Sequence, residues 1–232
     1  MTLLGGMWWN ELRRRWLLRK APAGPLHDYL REGFPSARVG FDQAPLLAVD
    51  LEMTGLNPLV DDIVSIGWVP IERGGIRLGA ARRLLVRPES EMVPESAVIH
   101  KITDTHAATG APLADALAEL LAALRGHVMV AHHARMELRF IDAACRRVYG
   151  GGIVIPTIDT EWLARRRFER RGQPYKARDL SLAAVRARYN LPIHQAHDAL
   201  GDAIATAELF LAQANDYGAG RRVSLAQILY PS

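Results

Sequence analysis

The pattern of hydrophobic and polar positions changes period near residue 45. Before it, Trp8, Leu12 and Trp16 recur at helical spacing, with Glu11, Arg13, Arg14 and Arg15 mostly on other faces. The Pro- and Gly-bearing stretch 21–25 ends that helix, and a second short one runs through His27, Asp28, Tyr29 and Leu30. From Pro45 the pattern is that of strands, expected at 46–50, 62–70 and 76–86, the last two joined hairpin-fashion at Arg73-Gly74-Gly75. A loop with Pro88 and Pro94 follows. Pro112 then opens an Ala/Leu-rich helix to about Leu124, closed by Gly126. Residues 128–131 form a short buried strand, and a helix runs from about Ala134 to Tyr149, where three glycines end it. A short final strand is expected at 153–155, and helices at 159–171, 180–189 and 197–213. Strands followed by alternating helix and strand predict an α/β fold, a mixed β-sheet flanked by helices.

The chain divides accordingly into an N-terminal helical extension (1–43), a main domain (44–215) and a C-terminal tail (216–232). The extension either packs on the main domain or docks a partner or membrane surface. The 232 residues suit one such domain with an extension, or at most two small domains, and 49% hydrophobic content excludes wholesale disorder. A single cysteine, Cys145, cannot form an internal disulfide and fits a reducing cytoplasm. No apolar run approaches the roughly 20 residues of a membrane span. The early tryptophans and Arg13-Arg14-Arg15 do not read as a signal peptide. A formal charge of +4 favours polyanionic partners.

Candidate chemistry begins in the first strand. Asp50 and Glu52 stand two residues apart in an apolar run that opens into Thr54-Gly55, so both carboxylates project from one face. Two like charges at the edge of a hydrophobic strand repel and resist desolvation, which calls for a cation between them. Further on, His132-His133-Ala134-Arg135-Met136-Glu137 places an acid one turn into a helix after a buried strand. His197 and Asp202 lie at the start of the last long helix, and His100 sits in a loop beside Ile99 and Ile102.

These four segments, in this order and spacing, resemble the DEDDh branch of 3′–5′ exonucleases, the family of the polymerase III epsilon subunit and ribonuclease T. Val49 to Gly55 matches its acid-x-acid strand with a Thr-Gly turn, and His132 to Glu137 its second motif. His197-Asp198-Ala199-Leu200-Gly201-Asp202 matches its His-x-Ala-x-x-Asp motif, and Ile99 to Thr103 its histidine-bearing loop. The likeness runs from about Leu46 to Gln213.

It implies a ribonuclease H-like sheet and removal of nucleoside monophosphates from the 3′ ends of single-stranded DNA or RNA. Asp50, Glu52, Glu137 and Asp202 would hold two divalent metal ions, Mg²⁺ or Mn²⁺, about 3.5–4 Å apart, with His197 as general base. Met53, Thr54, Gly55, Leu56, His100 and His133 would contact the terminal nucleotide. The helical extension would serve a polymerase or a second copy of the chain. Two other readings stay open: a nucleic-acid-binding or partner-docking module with a weakened second motif, and a phosphodiesterase for very short oligonucleotides.

The second motif departs from the family pattern twice. Glu137 stands where the family has Asp, one methylene longer, and retained metal-dependent activity is expected. His133 stands where Asn is usual and would contact substrate or cap the following helix. Asp142 lies about 140° around the helix from Glu137 and is passed over as a ligand. His194 is a loop histidine and the second candidate for the base. Arg165, Arg166, Arg167, Arg170 and Arg171 form the densest basic cluster, with Lys176 and Arg178 beyond. Such a run is either a solvated helix face or a phosphate-backbone contact.

Overall fold

Alternation along one strand sets the architecture. In the computed structural model, which describes residues 3–88, 110–194 and 197–231, β1 spans Leu46–Met53. Leu47, Val49 and Leu51 enter one apolar core, while Leu46 and Ala48 enter a second on the opposite face of the sheet. Asp50 and Glu52 continue the parity of Leu46 and Ala48, which places both acids on the second face.

The antiparallel neighbour of β1 is β2 (Ile63–Glu72), which in turn pairs with β3 (Gly75–Ile76) and β4 (Arg82–Leu85). On its other side β1 pairs in parallel with β5 (Val128–Ala131), and β5 with β6 (Thr157–Asp159). The described residues thus form a mixed six-stranded sheet. The strand expected over 76–86 is split by a single helical turn at Leu78–Ala80. Pro70, opposite this point, accepts from Arg77 N–H but has no N–H to return, so the regular ladder lapses.

The final strand also lies elsewhere than expected. Ile153, Val154 and Ile155 are buried but form no strand; the ladder to β5 begins only after them, at Thr157. Their apolar run signals burial, with Val154 O accepting from Tyr29 OH at 3.0 Å.

The first core is covered by α2 (Pro25–Glu32), α3 (Leu113–Leu124) and α4 (Arg135–Tyr149), together with Leu17 of α1 (Leu3–Leu18). In α3, Leu117, Leu120, Leu121 and Leu124 are fully buried, each contributing about 1.5–3 kcal/mol. Cys145 of α4 is buried there as well, and burial pushes its thiol up. Gly150 ends α4 at φ 68°, a left-handed turn that suits glycine.

The second core is covered by α5 (Thr160–Arg170), α7 (Ala199–Gly218) and α8 (Leu225–Ile228). A smaller cluster seats α6 (Leu182–Arg188) against α5 and α7. Among the described residues no helix is long and apolar enough to cross a membrane.

The inner face of α1 differs from the one its periodicity suggests. Leu12 and Trp16 are exposed, while Leu17 and Arg14 are buried. The Arg14 guanidinium donates to Glu11 and to the Leu30 carbonyl, which ties α1 to α2. The stripe Leu12–Trp16 therefore faces outward, because a hydrogen-bonded arginine has taken the inner position.

Candidate active site

Each β1 acid stands opposite a small residue of β2: Asp50 pairs with Gly67 and Glu52 with Ser65. A Cβ on Gly67 would lie 2.2 Å from the Ala199 carbonyl carbon, so the missing side chain lets the first turn of α7 settle on β2. That approach brings Asp202, in the first turn of α7, down to β1. Carboxylate oxygens of Asp50, Glu52 and Asp202 all lie within 4.8 Å of one another. The β1–β2 register shifts between Glu52 and Met53, where the strand leaves the sheet for the Thr54-Gly55 turn.

Glu137 supplies a fourth carboxylate, buried like Glu52 while Asp50 and Asp202 are half-buried; it stands outside the 4.8 Å group, and its Oε2 has no hydrogen-bond partner among the described residues. Burial, reinforced by the Asp159 carboxylate, pushes Glu137 up to about 8. Burial and then the Glu137, Asp202 and Glu52 carboxylates push Asp50 well above its ordinary range. Deprotonated, the quartet is mutually repulsive, and an orphaned buried oxygen calls for a partner. An all-oxygen donor set of this kind fits hard divalent cations.

Asp159, which the sequence singled out only as the start of a helix, holds the second motif in place. It caps α5 by accepting from Glu161 N–H and Trp162 N–H. It also accepts from His133 N–H (3.1 Å) and Ala134 N–H (3.2 Å), thereby anchoring the start of α4. His133 therefore does not cap α4. Its backbone is left-handed at φ 66°, and its exposed ring donates from Nδ1 to Glu161 Oε2 at 2.7 Å. Nε2–H of His132 donates to Leu180 O (2.9 Å), leaving Nδ1 to accept from Thr160 Oγ1 (2.8 Å). Burial lowers the His132 pKa to about 4, so its ring is a neutral structural strut.

The third motif is ordered around Asp202. Its Oδ2 accepts from His197 N–H (2.8 Å) and its Oδ1 from His194 Nε2–H (2.7 Å). His197 lies just outside α7 at φ 66°, its side chain exposed, and Asp198 is the N-cap, accepting from Gly201 N–H. Asp198 also pairs with Arg83 of β4 at 3.0 Å, so it is an anchor rather than an incidental surface acid. Buried Arg186 donates to Ala205 O and Pro192 O, fixing the loop that leads to His194.

The turn after β1 is pinned to the residue preceding β2 by two hydrogen bonds, Thr54 N–H to Asp62 O and Asp62 N–H to Thr54 Oγ1, each 2.9 Å. A Cβ on Gly55 would lie 2.5 Å from the Asp61 carboxylate, which explains the glycine. Met53, at the end of β1, is half-buried against the first core, and Leu56, Leu59 and Val60 are 76%, 85% and 69% exposed. Asp142 is engaged elsewhere, accepting from Arg146 and from Ile153 N–H. His100 lies outside the described residues.

The profile of the RNase T family, described as exonuclease, matches residues 47–210. The PolC-type DNA polymerase III of Thermotoga petrophila is 33% identical over 171 residues, 74% of this chain but 12% of that protein. This chain therefore corresponds to about one eighth of such a relative. The DNA polymerase III epsilon subunit of Treponema pallidum is 29% identical over 164 residues, 70% of this chain and 73% of its own length. Among solved structures, exonuclease X in complex with 5′ overhanging duplex DNA aligns with a TM-score of 0.59 at 25% identity, over 78% of this chain and 98% of its own. E. coli exonuclease I in complex with a dA16 oligonucleotide aligns at 0.63 with 17% identity, over 75% of this chain and 43% of its own, which shows the shared fold. With its acidic first strand, its sheet order and most of its length accounted for, the chain belongs to the RNase T exonuclease family.

Proposed function

We propose that this chain removes nucleoside monophosphates one at a time from the 3′ ends of single-stranded DNA or RNA. The observation that carries this reading is the meeting of Asp50, Glu52 and Asp202 within 4.8 Å, with the unpartnered Glu137 oxygen facing the same charge problem. These four carboxylates would hold two divalent cations, Mg²⁺ or Mn²⁺. The cations would supply charge stabilisation to the attacking and departing oxygens.

The chain's own groups do the rest. His197, on an exposed turn bonded through its N–H to Asp202, swings its ring over the cleft and accepts the proton of the attacking water. The Thr54-Gly55 turn fixes the floor on which the terminal nucleotide rests. Leu56, Leu59 and Val60 offer apolar contact to an unstacked base, with Met53 below them. Such contact tolerates any base, so little sequence preference is expected. His133 and His100 would touch the terminal nucleotide.

The structural relative exonuclease X binds duplex DNA with a 5′ overhang, which supports a DNA strand as substrate. The polymerase III relatives support a polymerase as partner, with 44–215 as the exonuclease domain and 1–43 as the helical extension that docks it. The test is Asp50→Asn. It should abolish metal-dependent release of mononucleotides from an oligonucleotide while leaving the fold intact, and undiminished release would remove the quartet from the chemistry.

A second reading of the base has an observation behind it. His194, not His197, has its ring within 2.7 Å of Asp202. His194→Ala and His197→Ala separate the two, since only the variant lacking the base should lose about 10²–10⁴ in rate with metal binding retained.

A further inference from the structure

The basic run of α5 divides in the folded chain. Arg165 turns back to Glu161 at 2.7 Å, and the remaining arginines face the far end of α7. Arg166 lies over the Trp162 ring at 4.4 Å, Arg167 over Tyr189 at 5.1 Å and Arg170 over Tyr217 at 4.8 Å. Arg170 also donates to Tyr217 Oη at 3.0 Å. Arg221 and Arg222, from the turn after α7, join them.

Two adjoining cavities, about 170 and 280 Å³, share Arg170 and Tyr217. Six arginines line the pair: Arg166, Arg167, Arg170, Arg171, Arg221 and Arg222. One acid lines it with them, Asp216, and it is already paired with Arg167 at 2.8 Å.

This is not the composition of an ordinary solvated helix face, where opposite charges alternate. Guanidinium groups from two segments, α5 with its C-cap and the turn after α7, converge with a single carboxylate among them, and an anion from outside would relieve their repulsion. Stacking on aromatic rings fixes three guanidinium planes, which lowers the entropy lost on binding. Fixed guanidinium forks match phosphate oxygens better than any other side chain does.

The cluster is also remote from the proposed chemistry. Fifteen residues of α7 separate Asp202 from Tyr217, about 22 Å along the helix. No mononucleotide reaches both ends.

We infer that the α5–α7 arginine cluster is a distal anchor for the phosphodiester backbone of the strand whose 3′ end enters the carboxylate site. This rests on the nuclease reading above. At about 3.4 Å per stacked nucleotide, a strand must extend some six or seven residues from its 3′ end to reach it. Longer substrates gain its charge and shorter ones do not.

The probe is a 5′-fluorescein-labelled dT20 compared with dT4, using the full chain and the variant Arg170→Gln/Arg171→Gln/Arg221→Gln. Anisotropy in EDTA over a range of salt reads binding independently of hydrolysis. The variant should bind dT20 about tenfold or more weakly, with the slope of log affinity against log salt reduced by about 2 for three lost contacts. Its binding and turnover of dT4 should match the unaltered chain. Unchanged dT20 affinity and slope would overturn the anchor and leave the cluster to an acidic protein partner or to solvent. Equal losses on both lengths would overturn it too, as a general effect of charge. If the triple variant does not fold, Arg221→Gln alone, on an exposed turn, should still lower the slope by about 0.7, and no change would count against the anchor. Absence of hydrolysis of either length by the unaltered chain would sink the nuclease reading separately, while the anisotropy result still decides the anchor.

Discussion

Among single residues, the buried Glu137 carboxyl is the most sensitive to pH. In the metal-free protein its carboxyl is raised from about 4.5 to about 8 by burial and the Asp159 carboxylate, and Asp50 is raised in the same direction. A raised acid contributes stability that is fully present below its unfolded pKa and is lost as pH rises through its folded one. The thermal midpoint in EDTA should therefore fall between about pH 5 and 8, and Glu137→Gln should flatten that fall. A midpoint independent of pH, identical in the variant, would mean the buried carboxylate is not there. Divalent cation should act oppositely, binding more tightly as the acids lose their protons. The extra methylene of Glu137 was visible in the sequence, but the Asp159 cap that fixes the start of its helix was not. Asp159 looked like the first residue of α5, and a cap that serves two helices has no signature in one chain segment. His197→Ala belongs to the same scale, with an expected loss of about 10²–10⁴ in turnover and little change in cation-induced stabilisation. Full activity in that variant would transfer the role to His194.

Between elements, the decisive contact is that of α7 with β2. Gly67 lies between Asp50 and Arg83 in register, and the α7 start rests on it. Gly67→Ala should cost about 1–3 kcal/mol in chemical denaturation, the usual range for overpacking. Because it lifts Asp202 away from Asp50, it should also weaken divalent-cation binding, and a silent substitution would show that α7 docks by other means. Asp198→Ala removes the α7 cap and its Arg83 partner, and should cost about 1 kcal/mol in the same measurement. The helices were legible because Pro112, Gly126 and Gly150 punctuate an amphipathic pattern. The strands were less so. Pro70 breaks a ladder that Ile76 to Val86 seemed able to continue, and Ile153 to Ile155 are apolar because they are buried, not because they pair. A glycine inside a strand pattern, Gly67, was the one available hint of a close backbone approach. The outward turn of Leu12 and Trp16 shows the opposite case, in which a buried, hydrogen-bonded arginine displaces the apolar stripe from the inner face of α1.

At the scale of the whole molecule, the sheet faces divide the labour. One face is sealed by α2, α3 and α4 with Leu17 of α1, and the other carries Asp50 and Glu52 under α7. The acid pair, its turn and the order of the motifs could be read from the chain, since alternation and spacing are local properties. Their convergence within 4.8 Å could not, because it depends on packing between residues more than 130 positions apart. The convergence is proposed to be a cation-dependent site working inward from the 3′ end. It is tested most directly by following a 5′-labelled single-stranded oligonucleotide over time with Mn²⁺, with Mg²⁺ and with EDTA. A ladder of progressively shorter labelled fragments is expected with either metal, and an intact strand in EDTA. A labelled mononucleotide as the first product, or cleavage that persists in EDTA, would contradict it.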